Sequence, residues 1–390
     1  MVTDSTETEK LASGDSKSRL KALEKIKKLA DDRIIELPRT TRFANNHIHT
    51  FYSFSPYSPS MAVYLAWKSG LCAAGIVDHD SVSGASEFID AGKILGLPTT
   101  VGCECRVNMS GTKLNGRRIN DPDQLSIAYT AMHAIPRQKL GMIDDFFRPR
   151  RSLRNERNAK MCERLTSITK PLGIKIDFET DVLPLSHADE GGTITERHIL
   201  LAFVKKLLDI SKSPSNAADM LSDKLGVILP ENLRLRLKKT GGFPEYDLLG
   251  ALKAGFVERF YIPAESECPS VGEFLELCRA VGAIPAYAYL GDIPNGANGD
   301  KKPQLYEDSY LDELMQELKR LGFEAVTYMP SRNSPSQLDR ISALCRKYRF
   351  LEIGGEDVNS PRQPFLNHDI DEKILEKLTE STMMLIGRTK

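Results

Sequence analysis

The stretch Asn45-Asn46-His47-Ile48-His49-Thr50 contains two histidines on either side of one apolar residue. Alternate side chains of a β-strand lie on the same face, so the two imidazoles are predicted to point together while Ile48 packs inside. Two imidazoles that converge at a strand end are suitable ligands for a divalent transition metal. Such a pair also occurs on polar strand faces without a metal, so its meaning depends on the rest of the chain.

The composition is that of a soluble globular protein with a large core. Of its 390 residues, 41% are hydrophobic and 27% are charged, and the formal net charge is zero. A neutral chain argues against a surface for extended nucleic acid, although a local phosphate pocket remains compatible with it. Seven scattered cysteines do not indicate a disulfide framework. Without an apolar stretch of membrane-spanning length or an apolar signal segment, the chain is expected to be cytoplasmic, with no membrane partner.

Residues of metal-ligand type recur at the ends of four apolar runs that follow one another along the chain. They are His47, His49, His79, Glu104 and His133. The runs alternate with helical patterns, which predicts crossover units and a parallel sheet. Because the C-terminal ends of parallel strands meet on one face, these five residues are predicted to share one site. Asp78 and Asp80, beside His79, are each expected either to orient a histidine or to cap the strand end. For Asp80 the strand-end cap is the favoured interpretation.

The pattern also predicts how the chain is divided. Residues 1–40 are interpreted as a polar tail followed by one helix, and residues 41–145 and 241–390 as an α/β barrel. From 146 to 240 charged amphipathic helices predominate, which predicts a helical insertion. Because a segment inserted after a strand's C-terminal end emerges at the barrel mouth, this insertion is predicted to cover the mouth as a lid. Thr193-Ile194-Thr195-Glu196 fits a capping box that opens one of its helices.

Taken in order, these motifs resemble the polymerase and histidinol phosphatase (PHP) superfamily. The resemblance rests on His47-x-His49, Asp78-His79-Asp80, Glu104 in Gly-Cys-Glu-Cys, His133, and Asp357 in Gly-Glu-Asp-Val-Asn. The insertion resembles that of the small metal-dependent phosphoesterase branch, where a motif like Thr195-Glu196-Arg197-His198 precedes a Tyr-x-Pro segment, here Tyr261-Ile262-Pro263. The resemblance implies a distorted (β/α)7 PHP-type barrel with a helical insertion and up to three metals.

Three positions depart from the family pattern. Phe54 stands where an Asp is usual, Tyr289 where a His is usual, and Asn359 where the closing His is usual. Tyr289 is interpreted mainly as a packing residue. Neutral oxygens bind transition metals far less tightly than imidazole or carboxylate does. The resemblance therefore implies one or two divalent transition metals (manganese, zinc or iron) and makes a third site doubtful.

The resemblance also assigns the ligands metal by metal. The first metal keeps His47, His49, Glu104 and Asp357, the second keeps Glu104 and His133, and the third keeps His79 and Asn359.

The implied activity is hydrolysis of a small phosphorylated substrate, a nucleotide-type phosphomonoester being expected, by a metal-activated water. A divalent metal lowers the pKa of bound water to about 7, which provides a nucleophile near neutral pH. His79 or His198 would protonate the leaving oxygen, since imidazole titrates near the working pH. Arg197 would bind the phosphate through its planar guanidinium.

Two alternatives compete with this enzyme. The departures at Phe54, Tyr289 and Asn359 favour a catalytically weak or inactive PHP-like module that binds metal and a phosphorylated ligand. An amidohydrolase-type barrel also begins with a His-x-His strand, but it requires a lysine or a further histidine at mid-barrel strand ends, and none is evident. Six intact residues of ligand type favour the phosphoesterase. The oligomeric state is left open by the sequence.

Overall fold

The computed structural model describes residues 4–239, 241–293 and 305–388. It contains one seven-stranded sheet whose strands are neighbours in the order of the chain. The strands are β1 (Ala44–Ile48), β2 (Ala73–His79), β3 (Thr99–Asn108), β4 (Ile127–His133), β5 (Ile284–Tyr289), β6 (Ala325–Tyr328) and β7 (Leu351–Gly354). Ile48 forms a parallel bridge with Val358, beyond the end of β7, so the sheet nearly closes on itself. The predicted distorted (β/α)7 barrel is confirmed.

Helices surround this barrel and account for most of the remaining chain. They are α1 (Asp4–Leu11), α2 (Ser16–Asp31), α3 (Pro59–Lys68), α4 (Ala85–Leu95), α5 (Leu140–Ile168), α6 (Glu196–Ser211), α7 (Pro214–Leu225), α8 (Glu231–Leu237), α9 (Pro244–Gly255), α10 (Val271–Val281), α11 (Leu311–Leu321), α12 (Pro335–Tyr348) and α13 (Glu372–Arg388). Within the described ranges, no helix combines the length and the apolar character that crossing a membrane requires.

Local signals in the sequence set the ends of several helices. Ser58 accepts a hydrogen bond from the backbone N–H of Met61, and Pro59 occupies the first turn of α3. Gly96 ends α4 with a left-handed φ of 71°, a conformation that a residue without a Cβ adopts at little cost. Ser270 and Glu273 form a capping box at the start of α10.

The strand β4 runs antiparallel to both β3 and β5, whereas all the other neighbouring strands are parallel. The prediction of a parallel sheet is therefore wrong at this strand. Antiparallel neighbours need no helical crossover, and residues 109–126 between β3 and β4 contain no helix. The Asn115-Gly116 turn lies in this segment, with Gly116 at a φ of 73°. As a result, β4 runs past the ends of β2 and β3 in the opposite direction, and Ala131 is the residue that pairs with Glu104.

The N-terminal residues are more ordered than a polar tail. Residues 4–11 form α1, whose last residue, Leu11, is fully buried in the main core. The next helix, α2, is held to α4 by a buried ion pair in which Arg19 Nε and Nη2 donate to the two oxygens of Glu87, at 2.8 and 2.7 Å. The Ser60 hydroxyl also donates to Glu87, at 2.6 Å. The N-terminal segment is thus part of the packed outer layer of the barrel.

A second hydrophobic core lies outside the barrel, among α5 to α9, the five helices that we name the lid. Its buried residues extend from Met161 to Phe260 and include Leu248 and Leu252 of α9, which packs against α6. This core therefore continues beyond residue 240, where the sequence places the end of the insertion. A separate core explains how the lid keeps its own shape above the barrel, and the division into domains stays a prediction.

We predict that Glu87→Ala lowers the free energy of unfolding by about 3 kcal/mol, because it leaves the buried Arg19 guanidinium without its partner. Urea denaturation followed by circular dichroism measures the change. Glu24→Ala removes the same charge from an exposed position of α2 and is expected to change the stability by less than about 0.5 kcal/mol. Equal unfolding midpoints for the two variants would contradict the role given to the Arg19–Glu87 pair.

Candidate metal centre

Five side chains meet at the barrel mouth, and we name them the metal centre. They are His47, His49, His79, Glu104 and Asp357. His47 lies in β1 with His49 directly after it, His79 ends β2, Glu104 lies in β3, and Asp357 follows β7. The near-closure of the sheet, through the hydrogen bond from Val358 N to His47 O at 3.0 Å, brings the last of them beside the first. The structure thus gathers residues separated by as many as 310 positions.

One oxygen of Glu104 is the point on which the imidazoles converge. Its Oε2 lies 3.2 Å from His79 Nδ1 and 3.8 Å from the Nε2 atoms of both His47 and His49. His49 Nε2 also lies 3.4 Å from Asp357 Oδ1. Ligand atoms of His47, His49 and Asp357 all lie within 4.8 Å of one another, as do those of His49, His79 and Glu104. The donors fit a divalent transition metal, because imidazole nitrogens and carboxylate oxygens suit manganese, iron and zinc.

Burial and close charges set the protonation of these groups. Burial lowers the pKa of His79 to about 3 and also lowers the pKa of His49, so both imidazoles are neutral, the form that binds a metal. At His47 burial acts in the same direction, but the Glu104 carboxylate outweighs it and raises the pKa to about 9. Burial would raise the pKa of Glu104, yet the neighbouring histidines bring it down to about 2. The carboxylate is therefore ionised at neutral pH.

Asp78 supports the centre through a serine. Its carboxylate accepts hydrogen bonds from Thr50 N at 2.7 Å, Thr50 Oγ1 at 2.6 Å and Ser53 Oγ at 2.6 Å. Ser53 Oγ in turn lies 3.3 Å from His49 Nδ1. Asp78 thus acts on a ligand-type histidine, as the sequence suggested, but through Ser53, which the sequence reasoning did not identify. Such outer contacts fix the orientation of an imidazole.

Asp80 joins the barrel to the lid. Its carboxylate pairs with Arg154 of α5, and Arg151 Nη1 donates to its carbonyl oxygen at 3.0 Å. Its own N–H donates to the carbonyl of Glu104 at 2.8 Å. Asp80 therefore secures the strand end, as the sequence favoured, and also holds the lid.

Arg197 reaches the metal centre from the lid. Its Nη1 donates to Asn359 Oδ1 at 2.9 Å, and Asn359 Nδ2 donates to Asp357 Oδ1 at 2.6 Å. The amide oxygen of Asn359, its possible metal donor, thus already accepts a hydrogen bond. These contacts give Asn359 a linking role between Arg197 and Asp357, and its ligation of a third metal stays a prediction.

His133 lies on the same face of β4 as Ala131, the residue that pairs with Glu104, but two residues deeper in the barrel. It pairs with Ile284, the first residue of β5. The premise of a parallel strand at His133 is therefore wrong. Its buried Nε2 nevertheless has no hydrogen-bond partner among the described residues, and its charge interacts with those of His47 and Glu104, so its role as a ligand stays a prediction. On the same face of β4 the mouth is instead reached by Tyr129, whose ring centroid lies 6.2 Å from that of His79. The hairpin signal at Asn115-Gly116 could have revealed this reversal.

His198 forms the cap of its own helix. Its Nδ1 accepts a hydrogen bond from the backbone N–H of Thr195 at 3.0 Å, and the capping box joins Thr195 and His198. The sequence prediction of a capping box between Thr193 and Glu196 is therefore wrong. The ring is buried against the edge of Phe54, at 5.0 Å between centroids. Burial lowers the pKa of His198 to about 3, so the imidazole is neutral at physiological pH. This geometry does not favour His198 as a proton donor.

The other two departures from the family pattern have packing roles. Phe54 belongs to the core of the lid, and the Arg197 guanidinium lies 5.9 Å from its ring centroid. Tyr289 is fully buried, and its hydroxyl donates to Asp308 Oδ1 at 2.7 Å. The phenol oxygen is therefore already engaged, which agrees with the packing interpretation of Tyr289.

A cavity of about 830 Å³ lies between the barrel mouth and the lid. His47, His79 and Glu104 line it from the barrel, and Arg197 and Lys253 line it from the lid. Its volume is in the range of small-molecule sites, and it joins the metal centre to a wall of polar and apolar residues. The arrangement can hold a small anionic molecule beside bound metal.

Comparison with known proteins identifies neighbours by structure alone. No protein-family model matches the chain, and no curated protein matches its sequence. A candidate metal-dependent phosphoesterase from Bifidobacterium adolescentis is 21% identical, with a TM-score of 0.58 over 91% of this chain and 98% of its own. An amidohydrolase from Chromobacterium violaceum, solved with bound sulfate and no metal, is 15% identical, with a TM-score of 0.56 over 88% of this chain and 96% of its own. These likenesses show a shared fold over most of the chain.

We predict that the purified protein carries at least one divalent transition metal per chain and that His47→Ala/His49→Ala removes it. The reason is that each three-residue ligand group loses at least one imidazole. Inductively coupled plasma mass spectrometry measures the metal content. His368→Ala, which changes an exposed histidine outside the centre, is expected to keep the wild-type content, and retention of metal by the double variant would show that the site is elsewhere.

We also predict that His198→Gln keeps the stability of the protein, whereas His198→Leu lowers the free energy of unfolding by about 1 kcal/mol. A glutamine at this position of a capping box still accepts the Thr195 N–H, but leucine cannot. Chemical denaturation of the two variants measures the difference. An equal loss in both would mean that the cap is not what His198 supplies.

Proposed function

We propose that this protein is a metal-dependent hydrolase of small phosphate esters, of the PHP type, with a nucleotide-type phosphomonoester as the expected substrate. The observation that carries the proposal is the convergence of His47, His49 and His79 on the buried, ionised Glu104, with Asp357 beside them. We infer one or two divalent metals (manganese, zinc or iron) and a cytoplasmic location. A cavity of small-molecule size that contains Arg197 and Arg332 adjoins the centre and supports a small phosphorylated substrate.

The structure offers two overlapping ligand groups for such metals. His47, His49 and Asp357 would hold one ion, and His49, His79 and Glu104 lie around a second position. A divalent metal bound here would polarise a phosphoryl oxygen and provide a nucleophilic water near neutral pH.

Arg197 supplies a cation for the phosphate. A guanidinium has five N–H donors, and Arg197 uses one nitrogen to donate to Asn359. Its planar fork matches two oxygens of a phosphate group, and such charge-assisted hydrogen bonds are stronger than neutral ones. Because Asn359 anchors the same guanidinium to Asp357, the arginine is held beside the metal centre before substrate binds.

We propose His79 as the proton donor to the leaving oxygen. Because burial keeps its imidazole neutral in the free protein, this role requires that the dianionic ester raise the pKa of His79 on binding. Of the three histidines in the centre its side chain is the most exposed, at 27% compared with 16% for His47 and 2% for His49. Its Nδ1 faces Glu104, and the residue lines the cavity where the ester would lie. His198 is the weaker candidate, because its Nδ1 already serves the helix cap.

The structural neighbours support hydrolytic chemistry. One is named as a candidate metal-dependent phosphoesterase and the other as an amidohydrolase that was solved with sulfate, a tetrahedral dianion similar to phosphate. The second name keeps an amidohydrolase-type reaction as an alternative. The lysine that this alternative expects is missing from the metal centre, whose described ligands are three imidazoles and two carboxylates.

A binding module without turnover is the other candidate function. Three ligand positions of the resemblance provide no free donor at the mouth, since Phe54 is in the lid core, the Tyr289 hydroxyl is engaged and Asn359 links two other side chains. Such a module would still bind metal and a phosphorylated ligand.

We predict slow hydrolysis of phenyl phosphate and p-nitrophenyl phosphate that manganese stimulates. His79→Ala should lower kcat for phenyl phosphate by about 100-fold or more and lower metal content by less, because it removes the proton donor that a leaving phenolate needs. The loss of kcat should be smaller for p-nitrophenyl phosphate, because p-nitrophenolate leaves without a proton donor. Glu104→Ala should remove both activity and tight metal, because it removes the carboxylate on which the imidazoles converge. Turnover and metal content are measured on the same preparations.

The binding-module alternative predicts a different result. No ester would be turned over above the Glu104→Ala control with manganese, iron or zinc, yet phosphorylated ligands would raise the melting temperature. That outcome would replace the enzyme with the binding module.

A further inference from the structure

Six arginines line the cavity, and they differ in whether a carboxylate neutralises them. They are Arg106, Arg154, Arg197, Arg236, Arg332 and Arg362. Four form ion pairs: Arg106 with Asp121 and Glu267, Arg154 with Asp80, and both Arg236 and Arg362 with Asp247. Arg197 and Arg332 have no carboxylate partner in ion-pair contact within residues 4–239, 241–293 and 305–388. Two positive charges of the cavity are therefore not balanced by an ion pair.

Arg332 lies in the loop between β6 and α12, beyond the C-terminal end of a parallel strand. Its Nε donates to the carbonyl oxygen of Leu290 at 3.1 Å, and Asn333 Nδ2 donates to the same oxygen at 2.7 Å. These two bonds hold the loop against the segment that follows β5. The guanidinium is thus fixed at the rim of the mouth before any ligand binds.

One nitrogen of the guanidinium lacks an acceptor. Arg332 Nη2 is buried and has no hydrogen-bond partner among the residues that the structure describes. The nearby Glu307 carboxylate uses Oε1 to accept from the backbone N–H groups of Leu290 and Gly291, at 2.9 and 3.3 Å. Its charge attracts Arg332 without forming an ion-pair contact. A buried charged donor without an acceptor is costly, so a ligand that supplies one gains the whole interaction.

Arg332 and Arg197 reach the same part of the cavity from different elements. Arg197 comes from the lid and interacts with the charge of Asp357, and Arg332 comes from the barrel and also interacts with Asp357. Both cations are therefore close enough to Asp357, a ligand-type residue of the metal centre, to interact with its charge. A group that binds between them and the centre would have to be small and anionic.

We propose that Arg332, together with Arg197, binds the reacting phosphate of the substrate. The inference rests on the proposed function and adds a residue that neither the motifs nor the metal centre identified. Two guanidinium groups supply positive charge for a phosphate dianion. They would replace the charge of the third metal that the resemblance implies, for which Asn359 is a weak ligand because its amide oxygen already accepts a hydrogen bond from Arg197. Each guanidinium is suited to bind two phosphate oxygens at once.

The test measures binding of inorganic phosphate to the purified full chain by isothermal titration calorimetry, with metal content determined in parallel. Arg332→Met is expected to weaken phosphate binding by about tenfold to 100-fold, the effect of losing one charge-assisted hydrogen-bonding group. It should raise KM for p-nitrophenyl phosphate by a similar factor and leave metal content unchanged. Arg332→Lys, which keeps the charge without the fork, should weaken binding by a smaller factor, and it decides the question if the methionine variant does not fold.

Arg340→Met is the matched control, because Arg340 is an exposed arginine of α12 outside the cavity, and it should leave phosphate binding unchanged. Wild-type phosphate binding in both Arg332 variants, or no phosphate binding by the wild type, would overturn the inference even if hydrolysis is robust. An unchanged KM for p-nitrophenyl phosphate, whose phosphate is its single anionic group, would also overturn it. If no ester is hydrolysed but phosphate binding still depends on Arg332, the inference stands and the proposed hydrolase fails.

Discussion

The buried carboxylate of Glu104 is the constraint on which the mouth of this barrel depends. A carboxylate that is 7% exposed loses most of its hydration, and it stays ionised because the neighbouring histidines favour its charged form. This requirement explains why His47, His49 and His79 face one oxygen from two neighbouring strands. The near-closure of the sheet then brings Asp357 to the same point.

The lid is attached to this centre by polar contacts, although its interior is a hydrophobic core of its own. Arg154 of α5 pairs with Asp80 beside β2, and Arg197 of α6 is linked through Asn359 to Asp357. Farther from the centre, Glu267 accepts from Arg157 Nε at 2.8 Å and from Arg106 Nη2 at 3.1 Å, which joins α5 to β3. The lid is thus positioned by the same region of the barrel that would hold the metals. A substrate phosphate would meet both parts at once.

The reversal of β4 reshapes the site more than any single substitution. It places Tyr129 at the mouth and His133 deeper in the barrel, and it does so with a segment of residues 109–126 that contains no helix. The packed Phe54 and Tyr289 provide no free metal donors at positions where the family pattern has them. Arginines without a carboxylate partner offer another way to balance the charge of the proposed phosphate. In the proposed function, the site would bind its substrate through guanidinium groups as well as through metals.

The sequence alone determined the alternation of strands and helices, the caps at Ser58 and Ser270, and the residue types of the metal centre, whereas the barrel class came from the family resemblance. The first three features follow from local periodicity, turn residues and side-chain chemistry, which neighbouring positions carry. The tertiary structure decided the direction of β4, the use of His198 as a cap, and the bond between Arg197 and Asn359, which are 162 positions apart. It also decided which arginines of the cavity are left without a carboxylate. These outcomes depend on which distant segments pack together, because an ion pair or a ligand group exists only when the closed barrel and its lid bring the partners within contact distance.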